Sequence, residues 1–282
     1  MPADNSAQIA EWNGPLGARW ATQQQEMDAL TAPYGQDALN AAATVSGERV
    51  LDVGCGCGAS TLALGRAVGA NGVVVGADVS RPMLEIARRR AADAGLAHVT
   101  FAEADTSSAD LPKDLDLIFS RFGVMFFAEP AAAFAHMRRA MKGTGRLAFV
   151  CWRAAKDNPW ASVPVAAARQ ALKLEAPAGD PHAPGPFAFA DHARVSAILA
   201  EAGFREIEIE PFEHLMPLGS NPRAAAEYAT RSGPVSRLVR EASPENAPRI
   251  IEAVEKAITP LAARDGSIAL PGRTWVVAAK AG

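Results

Sequence analysis

Short apolar runs alternate along this chain with stretches whose apolar residues recur at the helical period of about 3.6. Val50–Val53, GVVVGAD ending at Asp78, Val99–Ala104, LDLIFS ending at Ser120 and RLAFVCW ending at Trp152 each read as a buried strand. Helices are predicted between them. They are ASTLALGRAV from Ala59, SRPMLEIARRRAADAG from a capping Ser80 to Gly95, and Pro130 to Met141, which leads through Lys142 and Gly143 into the fifth strand. The rhythm breaks after Trp152, where Pro159, Pro164, Pro177, Pro181, Pro184 and Pro186 predict a lid or loop. It resumes with a helix from Asp191 to Ala202 and the strand FREIEIEPF, whose Ile207 and Ile209 face inward while its glutamates face out, as on a sheet edge. A second helical insertion runs from Asn221 to Arg264, and TWVVAAK reads as the last strand. The alternation predicts an α/β fold, a seven-stranded mostly parallel sheet with helices on both faces and helical lid insertions. Its expected divisions are an N-terminal helical cap (1–46), a core (47–155), a Pro-rich lid insertion (156–190) and the end of the sheet with its helical insertion (191–282).

The stretch VLDVGCGCG departs from the apolar pattern. Asp52 puts a carboxylate at the end of a buried strand, and Gly54, Gly56 and Gly58 alternate directly after it. Glycine in a strand-to-helix turn permits positive φ and lets a ligand lie against backbone. Asp78 ends the second strand about 20 residues further on, placed to accept from ribose hydroxyls. As a strand-end acid it is expected to face solvent and to contribute little to the core. Asp105, followed by Thr106, ends the third strand, and Ser120 and Arg121 lie where open α/β sheets bind their ligands. Gly54, Gly56 and Ala59 also satisfy the dinucleotide pattern G-x-G-x-x-G/A, so the glycines alone leave an NAD(P)-dependent oxidoreductase open. Asp52 argues against it. A carboxylate there repels a pyrophosphate, whereas it accepts from an ammonium and tolerates a sulfonium. A cationic nucleoside carrying an amino-acid tail is predicted.

At this point Asp52-x-Gly54-x-Gly56-x-Gly58 with Asp78 resembles the first motif and following acid of class I S-adenosylmethionine (SAM)-dependent methyltransferases, of the ubiquinone/menaquinone, small-molecule type. The resemblance is strong over 47–155 and weak elsewhere. It implies a Rossmann-like sheet, S-adenosyl-L-methionine as cofactor, S-adenosyl-L-homocysteine (SAH) as product, and a small-molecule acceptor. The cofactor contacts it implies start with the turn, Asp52, Gly54, Cys55, Gly56 and Gly58. Asp78, Val79 and Met83 follow, with Met83 beside the adenine; Asp105 then meets the adenine amino group next to Thr106. Ser120, Arg121 and Trp20 complete the set. Closure of the N-terminal helices over SAM is likewise implied by the family, with Trp12, Trp20 and Tyr34 as candidate caps or as the stripe docking those helices on the sheet. The sequence after the fourth strand, SRFG, departs from the Asn/Asp-Pro-Pro-aromatic motif of enzymes that alkylate bases or glutamine, so those acceptors lose weight. A non-catalytic SAM-binding protein is the remaining alternative. Arg121 and Trp152 are acceptor-side candidates. Of five histidines, His182 and His214 fall in segments near the predicted acceptor side, and no catalytic base is assigned.

Composition narrows the picture further. The chain has 282 residues, 49% hydrophobic and 21% charged, enough for a large α/β domain with appended helices. A formal net charge of -3 offers no basic field for phosphate backbones, so nucleic acid is not an expected partner. No apolar run approaches the roughly 20 residues of a membrane span, and MPADNSAQIAEW lacks the features of a signal peptide, so a cytoplasmic location is expected. Cys55, Cys57 and Cys151 cannot build a disulfide framework and lack a fourth metal partner; reduced thiols and no metal are expected. Arg88, Arg89 and Arg90 read as a solvated helix face. Monomer and homodimer both stay open.

Overall fold

The computed structural model describes residues 5–175 and 180–282. The chain divides into two compact units. One holds the residues up to Trp152 together with His182–Phe212 and Thr274–Gly282; the other holds Arg153–Pro181 and Glu213–Arg273.

In the first unit, α1 (Ser6–Asn13), α2 (Pro15–Thr22) and α3 (Gln24–Ala42) precede β1 (Arg49–Val53). Then come α4 (Ala59–Val68), β2 (Val73–Asp78), α5 (Arg81–Asp93), β3 (Val99–Glu103), β4 (Leu115–Arg121), α6 (Pro130–Arg138) and β5 (Met141–Trp152). The sheet has seven strands in the order β3-β2-β1-β4-β5-β7-β6, where β6 is Arg205–Gly219 and β7 is Ile268–Lys280. Neighbours from β3 to β5 run parallel, and β7 pairs antiparallel with β5. The direction of chain progression reverses between β1 and β4, so their carboxyl ends frame the crevice where such sheets take ligands. Strands with parallel partners on both sides are buried on both faces, which is why β1 and β4 read as continuous apolar runs. The helix α4 lies close on the sheet because Gly65 has no side chain: a Cβ there would stand 2.4 Å from Val99 Cγ2.

Two predicted boundaries move. The helix expected to reach Met141 ends at Arg138, and Lys142 and Gly143 belong to β5, which starts at Met141 opposite Leu115. Between that pair and Leu117↔Arg146 the register shifts, an irregularity that absorbs the Gly143–Gly145 stretch. At the edge, β6 is fifteen residues long, with Ile207 and Ile209 half-buried and its glutamates exposed. The helix α8 (His192–Glu201) starts at Asp191, whose side chain caps Ala193 N and Arg194 N.

The second unit corrects the loop expected after Trp152. Pro159–Leu172 is a helix, α7, with Pro159 at its first position and Pro164 in its second turn. Proline at N1 costs nothing because that N–H has no partner anyway, and Pro164 removes a single helical bond while Ala161, Ala167 and Ala168 are buried. Pro177 lies outside the described residues. The helices α9 (Pro222–Arg231), α10 (Pro234–Glu241) and α11 (Ala247–Ile258) share a core with α7, built from Ala168, Ala226, Val235, Ile250, Val254 and Ile258. Asn158, fully buried, anchors this unit. Its Nδ2 donates to the carbonyls of Arg153, Ala154 and Arg273, and its Oδ1 accepts from Arg273 N and Trp160 Nε1. Among the described residues no helix is long and apolar enough to cross a membrane.

Candidate functional site

The turn from β1 into α4 carries Gly54, Gly56 and Gly58 at φ of 65°, 54° and 83°. All three need the left-handed region, but their surroundings differ. A Cβ on Gly54 would stand 2.7 Å from Gly123 Cα, so this glycine lets the β1 turn pass against the loop after β4. A Cβ on Gly58 would meet Ala87 Cβ at 3.0 Å, so this one lets α4 and α5 approach. At Gly56 a Cβ would meet nothing nearer than Met83 Sδ at 3.8 Å. Protein packing does not fill the space above Gly56, and a ligand can.

Beneath the turn, Asp52 is fully buried. Its Oδ2 accepts from Ser60 Oγ at 2.7 Å and Thr61 Oγ1 at 2.6 Å, both in the first turn of α4. Its Oδ1 is buried with no hydrogen-bond partner among the described residues. Burial pushes the carboxyl up to about 6 against the pull of the two hydroxyls and Arg121, and Asp78 adds to the rise. A buried carboxylate with one unmatched oxygen is costly unless a donor or cation completes it.

Asp78 is not solvent-facing, contrary to expectation. It is 7% exposed, with Oδ2 accepting from Gly56 N at 2.7 Å and Oδ1 from Ser80 N at 2.8 Å. Burial raises its pKa despite the backbone N–H groups of Ser80, Gly56 and Val79. The acid therefore fixes the glycine turn to the end of β2, while each oxygen keeps a second lone pair for a further donor. Cys55, buried at 3% exposure, also ties in here: its N–H and that of Gly54 both donate to Ala77 O. Burial pushes its thiol well up, and it stays protonated.

Around this centre the remaining candidates separate by role. Met83 is buried with its sulfur toward Gly56. Val79 O accepts from Asn13 Nδ2 at 2.7 Å, and Asn13 Oδ1 accepts from Arg81 N, so α1 caps α5. The expected cap, Ser80, sends its hydroxyl to Trp12 O instead. Asp105 Oδ1 accepts from Asn5 Nδ2 and Ser107 N, both at 3.0 Å, with Thr106 buried beside it. Ser120, fully buried, donates to Val53 O and accepts from Gly123 N; its hydroxyl joins the ends of β1 and β4. Arg121 is held by α3, donating to Asp28 Oδ1 and Thr31 Oγ1 at 3.0 Å each, its stem passing over Gly35.

Aromatic side chains flank both sides. Trp20 packs edge-on to Trp12 at 5.8 Å, and Trp12 to Phe126 at 5.4 Å. Beyond β4, Phe122 sits at φ 61° and stacks on Trp152 at 4.5 Å, with Tyr34 edge-on to Phe122, Trp152 and Phe212. His182 and His214 are exposed. Sequence reasoning missed Asn13, Thr31 and Asp28, ordinary polar residues on helices, and Asn5 just before α1. It also placed Arg90 on a solvated face, whereas only Arg88 and Arg89 are exposed and Arg90 pairs with Asp28 at 2.9 Å.

Residues 50–145 match the family described as "Methyltransferase domain". The chain is 33% identical over 118 residues to aklanonic acid methyltransferase DauC of Streptomyces sp. (strain C5), a match covering 42% of this chain and 54% of that protein. It is 42% identical over 110 residues to the demethylmenaquinone methyltransferase of Clavibacter sepedonicus, covering 38% and 42%. These matches span about half the length of each relative. In fold the chain is similar to the YcgJ protein of Bacillus subtilis, with a TM-score of 0.57, 17% identity, and coverage of 86% of this chain and 94% of that one. With the glycine turn, the strand-end acids and the sheet order already pointing the same way, residues 50–145 match a methyltransferase domain and are similar to those of SAM-dependent methyltransferases.

Proposed function

We propose that the whole chain transfers a methyl group from SAM to a small-molecule acceptor. The observation that carries this reading is the buried Oδ1 of Asp52, without a partner among the described residues, at an open glycine turn. A pyrophosphate brought there would add negative charge beside a carboxylate, which disfavours NAD(P), whereas the ammonium of an amino-acid tail completes it. Asp78 would accept from the ribose hydroxyls. Met83 and Asp105 would border the adenine, and Ser120 and Arg121 would close the β4 side.

When bound, SAM supplies an electrophilic methyl on a sulfonium, which passes in line to the acceptor nucleophile and leaves the neutral thioether of SAH. The chain's own work is to orient and to exclude water. A base is required only where the acceptor nucleophile must lose a proton, and none is assigned. A cytoplasmic location and independence from nucleic acid belong to the same proposal, with monomer and homodimer equally compatible. An acceptor screen scored by SAH release tests it. Release that depends on both SAM and an added small molecule supports methyl transfer. Tight SAH binding with no turnover across phenolic, quinol, amine and thiol acceptors would favour a non-catalytic SAM-binding protein.

A further inference from the structure

Asp28, on α3, holds two guanidinium groups at once. Arg121 Nη2 donates to its Oδ1 at 3.0 Å, and Arg90 Nη1, from the last turn of α5, approaches its Oδ2 at 2.9 Å. All three side chains are largely buried, with 16% of Arg121, 20% of Asp28 and 28% of Arg90 exposed. The same Arg90 Nη1 donates to Cys57 O at 2.6 Å. That carbonyl lies inside the glycine turn. The peptide plane it shares with Gly58 is held at its other end too, since Gly58 N donates to Cys55 O at 2.9 Å. A planar peptide fixed at both its carbonyl and its amide has no freedom to rotate. The flanking residues Gly56 and Gly58, at positive φ, are the ones whose own conformational freedom would otherwise let the turn collapse or flip.

We propose that Arg90, oriented by Asp28, is a positioning residue that holds the Cys57–Gly58 peptide of the glycine turn in its SAM-receiving conformation. This rests on the reading of that turn as the SAM site. Arg90 touches no ligand in this account. It acts through the turn, and Asp28 acts through Arg90, linking the N-terminal helix α3 to the cofactor cradle and, by Arg121, to the end of β4. Arginine suits the task because its Nη1, with two N–H groups held in the guanidinium plane, reaches the Cys57 carbonyl and the Asp28 carboxylate together, in directions that a freely rotating ammonium does not fix.

The test titrates wild type, Arg90→Met, Arg90→Lys and Asp28→Asn with SAH by calorimetry and records melting curves of the ligand-free proteins. Charge-assisted hydrogen bonds of this kind correspond to roughly ten- to hundredfold in affinity. Arg90→Met should therefore weaken SAH by about that factor while remaining folded. Arg90→Lys should recover part of the loss, and Asp28→Asn should fall between Arg90→Met and wild type. Folded Arg90→Met and Asp28→Asn proteins within about threefold of wild type would overturn the inference, as would an Arg90→Lys no tighter than Arg90→Met. If Arg90→Met does not fold, the decision passes to the other two variants on the same criteria. Failure of the wild type itself to bind SAH would overturn the site reading, a result distinct from equal binding by all four.

Discussion

Replacing Asp78 by asparagine separates bracing of the turn from binding of the ribose. In the folded chain its two oxygens accept from Gly56 N at 2.7 Å and Ser80 N at 2.8 Å. Asparagine keeps one acceptor oxygen and turns an amino group toward the other N–H, so one charge-assisted bond of about 1.5–3 kcal/mol is lost. The loss is partly offset, because the buried charge is itself disfavoured and its pKa is raised by burial. A net cost of about 1–2 kcal/mol is expected, a fall in melting temperature of roughly 2–8 °C at about 2–4 °C per kcal/mol. The ligand loses more. Removing the charged acceptor from the ribose and loosening Gly56 should raise the SAH dissociation constant at least ten- to hundredfold, at about 1.4 kcal/mol per decade. Calorimetry with SAH and scanning fluorimetry of the ligand-free variant read the two effects. A lowered melting temperature with SAH affinity within threefold of wild type would mean that Asp78 only braces the turn, and the ribose would have to be placed elsewhere.

Three further predictions follow from the same geometry. Asp52 keeps its proton up to about pH 6 when folded against an ordinary value of 3.8; the unfolded chain therefore loses it first, and stability should fall by about 2 kcal/mol as pH rises from 4.5 to 7.5. Asp78 shifts the same way and adds to the slope, while SAH affinity should rise toward pH 7 as Asp52 ionises; urea melts and SAH titrations from pH 4.5 to 7.5, repeated on Asp52→Asn, check both signs. Gly56→Ala meets no protein atom nearer than 3.8 Å and should fold at a strain of about 1–2 kcal/mol yet lose SAH, whereas Gly54→Ala, with its Cβ 2.7 Å from Gly123 Cα, should damage the fold itself; equal SAH binding by a folded Gly56→Ala would refute the cradle. Asn158→Ala removes the part-buried hydrogen bonds that Arg273 N and Trp160 Nε1 make to its Oδ1 and should cost roughly 2–4 kcal/mol, checked by a denaturant midpoint; a loss below 1 kcal/mol would show that this asparagine does not anchor the second unit.

What the sequence made legible is what local chemistry encodes. The glycine turn, Asp52, Asp78 and Asp105 stand out because each breaks an apolar pattern at or just after the end of a strand. The parallel sheet is visible for the same reason: strands buried on both faces must be apolar throughout. The second ring of residues was hidden because its partners are far apart in the chain. Asn5 reaches Asp105 across 100 positions, Asn13 reaches Val79 across 66 and Arg121 reaches Asp28 across 93. No period or motif marks such a residue. Two exposed arginines beside Arg90 mask its inward turn, and the prolines of α7 read as helix breakers unless their positions within the helix are known. Pro159 opens α7 at the position a helix tolerates best. A strand end such as Asp78 is usually exposed, but here the glycine turn folds back onto it through Gly56 N.

The central claim is that the crevice beside β1 receives a cationic nucleoside with an amino-acid tail. Calorimetric titration of the wild-type chain with SAM, SAH, NAD and NADP under one buffer tests it most directly. The account predicts saturable 1:1 binding of SAM and SAH with no binding of either dinucleotide at comparable concentration; dinucleotide binding as tight as that of SAH, or no binding of SAH at all, would contradict it.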